Sequence, residues 1–451
     1  MSRLAVLGAG ESGVGAAVLA KKKGFEVFVS DYGTIKPVYV KTLENNGIEY
    51  EQGGHSVSKI LNAGEVVKSP GIRDDAPIVL KLNDAKIPVI SEIEFAARYT
   101  NAKFVCVTGS NGKTTTTELI YHIMKSAGMD VAMAGNVGNS LAILVAGGHD
   151  YEYYVLELSS FQLDNMYDFH AHVAVVTNIT PDHLDRYGYK MQNYVDSKMR
   201  IIRNQAEGDL FVFFGDDPIL MDEVKKRKGT FKQKVMVFSL TREPISGILF
   251  PEDDGYMAYN DGYIGRGMPC MDFKLKGKHN RCNIMAATLA TCHVGVPLDK
   301  VLEYVKEFEP LEHRVEPCGE VDGVKYVNDS KGTNVDAVWY ALDSVGDSVI
   351  LILGGVDKGN DYSQLYDLVG KKVKAIVAMG VDNTPIHKAF DGRKKVVDVR
   401  SMAECIETCR SLATKGDTVL LSPACASFDL FTCYEDRGEQ FKDAVRKLKQ
   451  S

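Results

Sequence analysis

Short runs of valine, isoleucine and leucine recur along the chain between stretches that read as helices. The runs LAVLGAG, VFVSD, FVCVTGS, YVLELSS, VAVVTNIT, LFVFFGDD, VILILGG, AIVAMG and TVLLSPA are close to continuously apolar instead of alternating with polar positions. A strand that is apolar on both faces is buried on both, so the pattern predicts parallel sheets covered by helices, an α/β fold. The stretches VGAAVLAKKKG, TTTELIYHIMKSAG and NYVDSKMRII are the helices expected behind three of those strands.

Strand-turn-helix signals restart near Phe104, and the helical segment from Leu298 to Phe308 ends at Glu309-Pro310. With 451 residues, more than one core is required. Three domains are predicted: a Rossmann-like one over residues 1–98, a central P-loop ATPase-like parallel sheet over 99–309, and a second Rossmann-like one over 310–451. Residues 225–275 mix short strands with turns such as PEDDG and YNDG. The apolar stretch Val131 to Gly148 contains Asn136, Asn139 and several glycines, so it reads as strand, loop and helix and not as a membrane span. The N-terminus has no basic, apolar and cleavable segments in series, which points to a cytoplasmic protein with no membrane partner.

A net charge of -7 argues against a dedicated nucleic-acid binder, which concentrates basic residues to neutralise phosphates. Nine cysteines include no C-x-x-C pair, so they read as reduced structural thiols, with Cys405 and Cys409 on one helix face.

Two glycine loops then carry chemistry. The first, Gly8-Ala-Gly-Glu-Ser-Gly13, links a strand to a helix, and Asp31 ends the next strand about 20 residues on, where a dinucleotide fold places its ribose-binding acid. A nicotinamide cofactor, a single nucleotide diphosphate, or plain helix-strand packing all fit that pattern. The second loop, TGSNGKTT, is more specific. Backbone N–H groups of Gly109, Ser110, Asn111 and Gly112 cradle phosphates in such a turn, with Thr115 closing it. Lys113 reaches the β- and γ-oxygens of ATP, and the Thr114 hydroxyl ligates Mg²⁺. Val107 stands where the general G-x-x-x-x-G-K-[ST] pattern has its first glycine, and Gly109 supplies flexibility two residues later.

Glu157, at the C-terminal end of YVLELSS, projects from the sheet edge where ligands bind and suits Mg²⁺ directly or through water. Beyond VAVVTNIT, His183 is a candidate second metal ligand, although a lone histidine is more often a surface or capping residue. Lys198 lies on a helix as a bare ammonium that balances phosphate charge without binding metal.

TGSNGKTT, ELSSFQL, NITPDHLDRYG and SKMRI, in this order, resemble the Mur ligases, the amino-acid-adding enzymes of peptidoglycan synthesis. The resemblance implies a carbamate on Lys198, turning it into an anionic oxygen ligand shared by two Mg²⁺ ions. It implies catalytic roles for Lys113, Lys198 and His183, the last binding metal and not moving protons. It also implies adenosine contacts from Asn283 and Arg314, with Asp329 near the ribose. GKHNRCN, LEHRVE, VNDSKGTNVDA, LGGVDKG and LSPACASFDLFTCYEDRGEQF look like motifs of the members that use D-glutamate. Thr333 and Lys358 would then hold one carboxylate of D-glutamate, and Ser427 with the segment from Phe428 to Tyr434 the other. Ser12, Gly13 and Gly71 look like contacts to the uridine part of UDP-N-acetylmuramoyl-L-alanine, and Asn136 like a contact to its muramoyl-alanine part. At Tyr32-Gly33 the chain departs from the hydroxyl and basic pair of better-known relatives, and no role carries over.

The expected reaction is therefore ATP-dependent amide formation through an acyl phosphate, by a monomer whose domains close about Glu309-Pro310-Leu311. The rivals are a ligase of this fold using another amino acid or extending folate, a nicotinamide-dependent oxidoreductase, and a nucleotide-gated binding protein.

Overall fold

The computed structural model describes residues 2–241, 246–251, 256–260, 265–269 and 273–449; the turns expected at PEDDG and YNDG fall mostly outside them. The chain forms two compact units, Met1–Asp272 with Cys282–Lys306, and Phe273–Arg281 with Glu307–Ser451.

The first unit holds two sheets. The smaller has the order Glu49–Gln52, Glu26–Asp31, Arg3–Leu7, Glu65–Lys68, Val89–Ile90, with every pairing parallel. Strand order reverses at Arg3–Leu7, and the crevice this creates at the strand ends receives the turn into the helix Glu11–Lys22. Asp31 turns its carboxylate back onto its own loop and the glycine turn. Its Oδ2 accepts from the Ala9 N–H at 2.6 Å and its Oδ1 from the Gly33 N–H at 2.8 Å. The acid that a dinucleotide fold turns toward a ribose is here spent on fixing the glycine turn.

The larger sheet runs, over the described residues, Gly265–Pro269, Tyr256–Asn260, Gly247–Leu249, Lys234–Ser239, Leu210–Phe214, Val173–Val176, Lys103–Thr108, Tyr153–Glu157, Val131–Gly135. Pairings are parallel from Val131–Gly135 as far as Gly247–Leu249, after which two antiparallel strands finish the edge. The stretch that is hard to read from sequence is that edge. Lys103–Thr108 lies between Tyr153–Glu157 and Val173–Val176, so the loops following all three strands open on one edge. One apolar cluster runs continuously from Leu4, Ala16 and Ala17 through Phe95, Leu141 and Phe104 to Val176 and Phe213, which joins the first two sequence blocks into one unit, and a second fills the other face of the smaller sheet.

The second unit has the order Glu316–Val321, Val324–Asn328, Thr418–Leu421, Val349–Leu353, Val373–Met379, Lys395–Val399. Its first pair is antiparallel and the rest are parallel, with apolar clusters on both faces. Phe273–Arg281, placed in the central block by the contiguous sequence division, belongs here. Cys405 and Cys409 are both buried on the helix Met402–Leu412. Among the described residues no helix is long and apolar enough to cross a membrane.

Candidate functional site

The loop after Lys103–Thr108 is held from both neighbouring strands. Thr108 Oγ1 donates to the Leu158 carbonyl at 2.7 Å, and the Ser110 N–H donates to the Asn178 carbonyl at 2.9 Å. Asn178 then clamps Asn111 twice: its Oδ1 accepts from the Asn111 N–H at 2.9 Å, and its Nδ2 donates to the Asn111 carbonyl at 3.0 Å. These bonds preorganise the turn that leads into the helix Lys113–Ser126, whose N-terminus is a ready anion site. Val107 is fully buried within the strand, in register with Glu157 and Val175. The turn therefore begins only after Thr108. Gly109 makes it at φ +145°, where a Cβ would lie 1.9 Å from Thr177 Oγ1. The glycine missing at Val107 has no turn to make.

Thr114 and Thr115 are buried in the first helical turn, and Lys113 Nζ donates to the carbonyls of Gly109 and Ser110, both at 2.9 Å. Asn283 reaches this loop within the same unit. Thr116 Oγ1 donates to its Oδ1 at 3.2 Å, and a Cβ on Gly112 would come within 2.4 Å of that oxygen.

Glu157 is 1% exposed. Its Oε1 accepts from Asn136 Nδ2 at 2.7 Å, and its Oε2 is buried with no hydrogen-bond partner. A buried carboxylate oxygen without a donor is costly, and an oxygen-seeking divalent cation removes that cost. The structure thus places Asn136 on Glu157, which it orients. Lys198 is 2% exposed, with Nζ donating to the Gly109 carbonyl at 2.7 Å and lying 4.6 Å from the Tyr194 ring centroid. Burial, reinforced by the nearby charge of Lys113, holds its amine well below the ordinary lysine value against the pull of Asp182 and Glu157. His183 adopts φ 53° and packs edge-on against Phe161 with ring centroids 5.2 Å apart. Sequence reasoning missed Tyr194, whose hydroxyl lies 3.1 Å from Ser110 Oγ. Its position one helical turn before Lys198 was the available signal.

Ser12 and the buried Gly13 lie in the first turn of Glu11–Lys22, and Ser69 Oγ donates to the Gly8 carbonyl at 3.3 Å, bringing the loop that holds Gly71 to the glycine turn.

In the second unit, Asp329 is 3% exposed. Ser422 Oγ donates to its Oδ2 at 2.7 Å, and the Val315 N–H to its Oδ1 at 3.3 Å. Burial pushes its carboxyl up to about 6 despite Ser422 and Arg314. Arg314 Nε is buried and has no partner. Three loops are knit together nearby: the Ala424 N–H donates to the Gly332 carbonyl at 2.9 Å, and Val356 pairs with Ala426. These contacts gather the loops bearing Thr333, Lys358 and the buried Ser427. Phe428 is 73% exposed, and Tyr434 opens the last helix with its ring 5.2 Å from Lys331 Nζ.

A UDP-N-acetylmuramoylalanine--D-glutamate ligase of Bacteroides thetaiotaomicron is 50% identical over 457 residues, spanning 99% of this chain and 100% of its own. The chain belongs to the Mur ligase family. A Porphyromonas gingivalis protein of the same name is 49% identical over 453 residues, covering 99% of this chain and 98% of its own. Three Mur family profiles follow one another along the chain: the MurD N-terminal domain over residues 3–78, the Mur ligase middle domain over 107–291, and the Mur ligase glutamate ligase domain over 313–425. Among solved structures, the Mur ligase fold recurs in MurF of Thermotoga maritima, crystallised with ADP, at a TM-score of 0.62 and 16% identity over 100% of this chain and 98% of that one. It recurs likewise in the UDP-N-acetylmuramate-alanine ligase MurC of that organism, at a TM-score of 0.61 and 18% identity over 99% and 100%.

Proposed function

We propose that this Mur ligase joins D-glutamate to UDP-N-acetylmuramoyl-L-alanine at the expense of ATP, in the cytoplasm and as a monomer. End-to-end similarity near 50% to ligases named for that reaction carries the reading. The three domains would be residues 1–98 for the uridine substrate, 99–309 for ATP and 310–451 for the amino acid. The substrate carboxylate attacks the γ-phosphorus of ATP, releasing ADP and leaving an acyl phosphate, whose phosphate is a far better leaving group than hydroxide. The amine of D-glutamate attacks the acyl carbon, and inorganic phosphate departs as the amide forms.

The residues of this chain bind, orient and balance charge in both steps. Lys113 and the N–H groups of Gly109 to Gly112, with Thr115, accept the phosphates, while Asn283, Arg314 and Asp329 take the adenosine. Ser12, Gly13 and Gly71 hold the uridine part. Asn136 meets the muramoyl-alanine part while keeping its bond to Glu157. Thr333, Lys358, Ser427, Phe428 and Tyr434 hold D-glutamate, whose two carboxylates require donors at both ends.

The unpartnered Oε2 of Glu157 and the buried Thr114 hydroxyl fit the hard oxygen set of Mg²⁺. Thr114, Glu157, His183 and a carbamylated Lys198 would hold two such ions. Burial and the nearby charge of Lys113 lower the pKa of the Lys198 amine, which favours the free-amine form that adds to carbon dioxide, so Lys198 fits a carbamate. When bound, the ions supply positive charge to the phosphate oxygens and the acyl oxygen.

The test is phosphate release from ATP and Mg²⁺ with UDP-N-acetylmuramoyl-L-alanine across a panel of amino acids. Release that depends on D-glutamate supports the assignment; equal release without the uridine substrate overturns it.

A further inference from the structure

One cation in the first unit, Arg186, has no part in the reaction as described, yet it spans two segments that do. Arg186 lies in the short turn Leu184–Tyr187, just after His183. Its guanidinium donates to three successive carbonyls of the substrate loop: Pro70 at 3.3 Å, Gly71 at 3.4 Å and Ile72 at 3.3 Å. Its other surface lies on the Phe161 ring, 4.2 Å from the centroid, and the same ring meets His183 edge-on.

The loop is anchored on its other side as well. Ser69 Oγ donates to the Gly8 carbonyl, and the Lys68 ammonium, buried to 1%, donates to the Ile72 carbonyl at 2.8 Å and pairs with Asp74 at 3.1 Å. Arg73 adds a second strap, 3.4 Å from the Asp185 carboxylate. Each bond from Arg186 is at the long end of the hydrogen-bond range, so its hold rests on three carbonyls and a stacking surface acting together. Only a planar, many-donor cation meets both demands at once; a lysine ammonium offers a single point of charge and no flat face.

We propose that Arg186, seated on Phe161, is a positioning residue for the uridine substrate: it holds the Pro70–Ile72 loop in its substrate-binding shape and registers that loop against the segment bearing His183. The proposal rests on the uridine-substrate reading of Gly71 given above. A loop already ordered before binding spares the complex the entropy of ordering it. Freeing roughly one residue's worth raises the KM for the uridine substrate about tenfold, the equivalent of about 1.4 kcal/mol.

The experiment compares wild-type protein, Arg186→Ala and Arg186→Lys by steady-state phosphate release, varying each of the three substrates in turn, with thermal unfolding of each protein alongside. The expected result is a rise of about tenfold in KM for UDP-N-acetylmuramoyl-L-alanine in both variants, smaller for lysine, with kcat within about threefold of wild type and KM for ATP and D-glutamate unchanged. A merely structural role would lower the melting temperature and move all three KM values and kcat together, and that outcome overturns the proposal. So does an unchanged KM for the uridine substrate. Should Arg186→Ala fail to fold, Arg186→Lys carries the same comparison. If the wild-type protein itself releases no phosphate with all three substrates present, the reaction assignment fails; a working wild type with unaltered variants removes the Arg186 role alone.

Discussion

Replacing Val107 with glycine restores the first glycine of the general phosphate loop, and the structure says that this harms the protein. Val107 is fully buried and lies in register with Glu157 on one side and Val175 on the other, before the chain begins to turn. Removing a fully buried valine side chain forfeits about 1.5–3 kcal/mol of burial. Glycine inside a strand adds roughly 0.5–1 kcal/mol of backbone entropy. The sum is about 2–4 kcal/mol, with no compensating gain, because a strand residue already paired on both sides presents no new N–H to a phosphate. The protein's single tryptophan, Trp339, lies in the second unit, so its fluorescence does not report on this strand. Far-UV circular dichroism against urea, with hydrogen exchange of the strand Lys103–Thr108, is the suitable assay. The midpoint should fall by roughly 1 M for a slope of about 3 kcal/mol/M, and KM for ATP should stay level or rise. A Val107→Gly protein as stable as wild type, or one with a lower KM for ATP, would refute the reasoning.

Lys198→Ala should lose nearly all turnover and recover part of it with added formate or acetate, read as phosphate release; wild-type rates in the variant would remove the metal-bridging role. Lys358→Ala should raise KM for D-glutamate at least about tenfold while leaving KM for ATP in place, as expected when one charge-assisted carboxylate contact is lost. Glu92 gives a pH prediction. It is fully buried, with Oε1 accepting from Ser140 Oγ at 2.8 Å and the Ala142 N–H at 2.5 Å, while Oε2 has no partner. Burial pushes its carboxyl from the ordinary 4.5 up to about 7, so the folded state binds a proton that the unfolded state has released across that window. Stability should therefore decline as pH rises from about 4.5 through 7, by on the order of 3 kcal/mol. Glu92→Gln, which keeps an acceptor for Ser140 and Ala142, should flatten this dependence in urea titrations at several pH values; an unchanged slope would exclude Glu92 as its source.

Much of this protein is local and was legible in its residues. Strands apolar on both faces announced the α/β class, since only a sheet covered twice buries them. TGSNGKTT announced a phosphate turn because the backbone conformation it needs is set by the glycines themselves. The ends of YVLELSS and VAVVTNIT marked Glu157 and the run to His183 as edge positions.

What lay beyond the sequence depended on partners far apart in the chain. Strand order places Tyr153–Glu157 and Val173–Val176 on either side of Lys103–Thr108, and hydrophobic periodicity carries no record of which strands pair. Asp31 matched a ribose-binding pattern by spacing, yet the turn folds back so that Ala9 and Gly33 take both of its oxygens. Phe273–Arg281 joined the second unit although the chain returns to the first immediately afterwards. Lys198 read as a bare ammonium on a helix that balances phosphate charge, and only the packing around it, with Lys113 close by, removed water from the amine and lowered its pKa well below the ordinary lysine value. Turn conformation and strand burial arise from neighbouring residues, so sequence determines them; desolvation, charge coupling and an unpartnered oxygen such as Glu157 Oε2 arise from everything packed around a group, which only the tertiary structure decides.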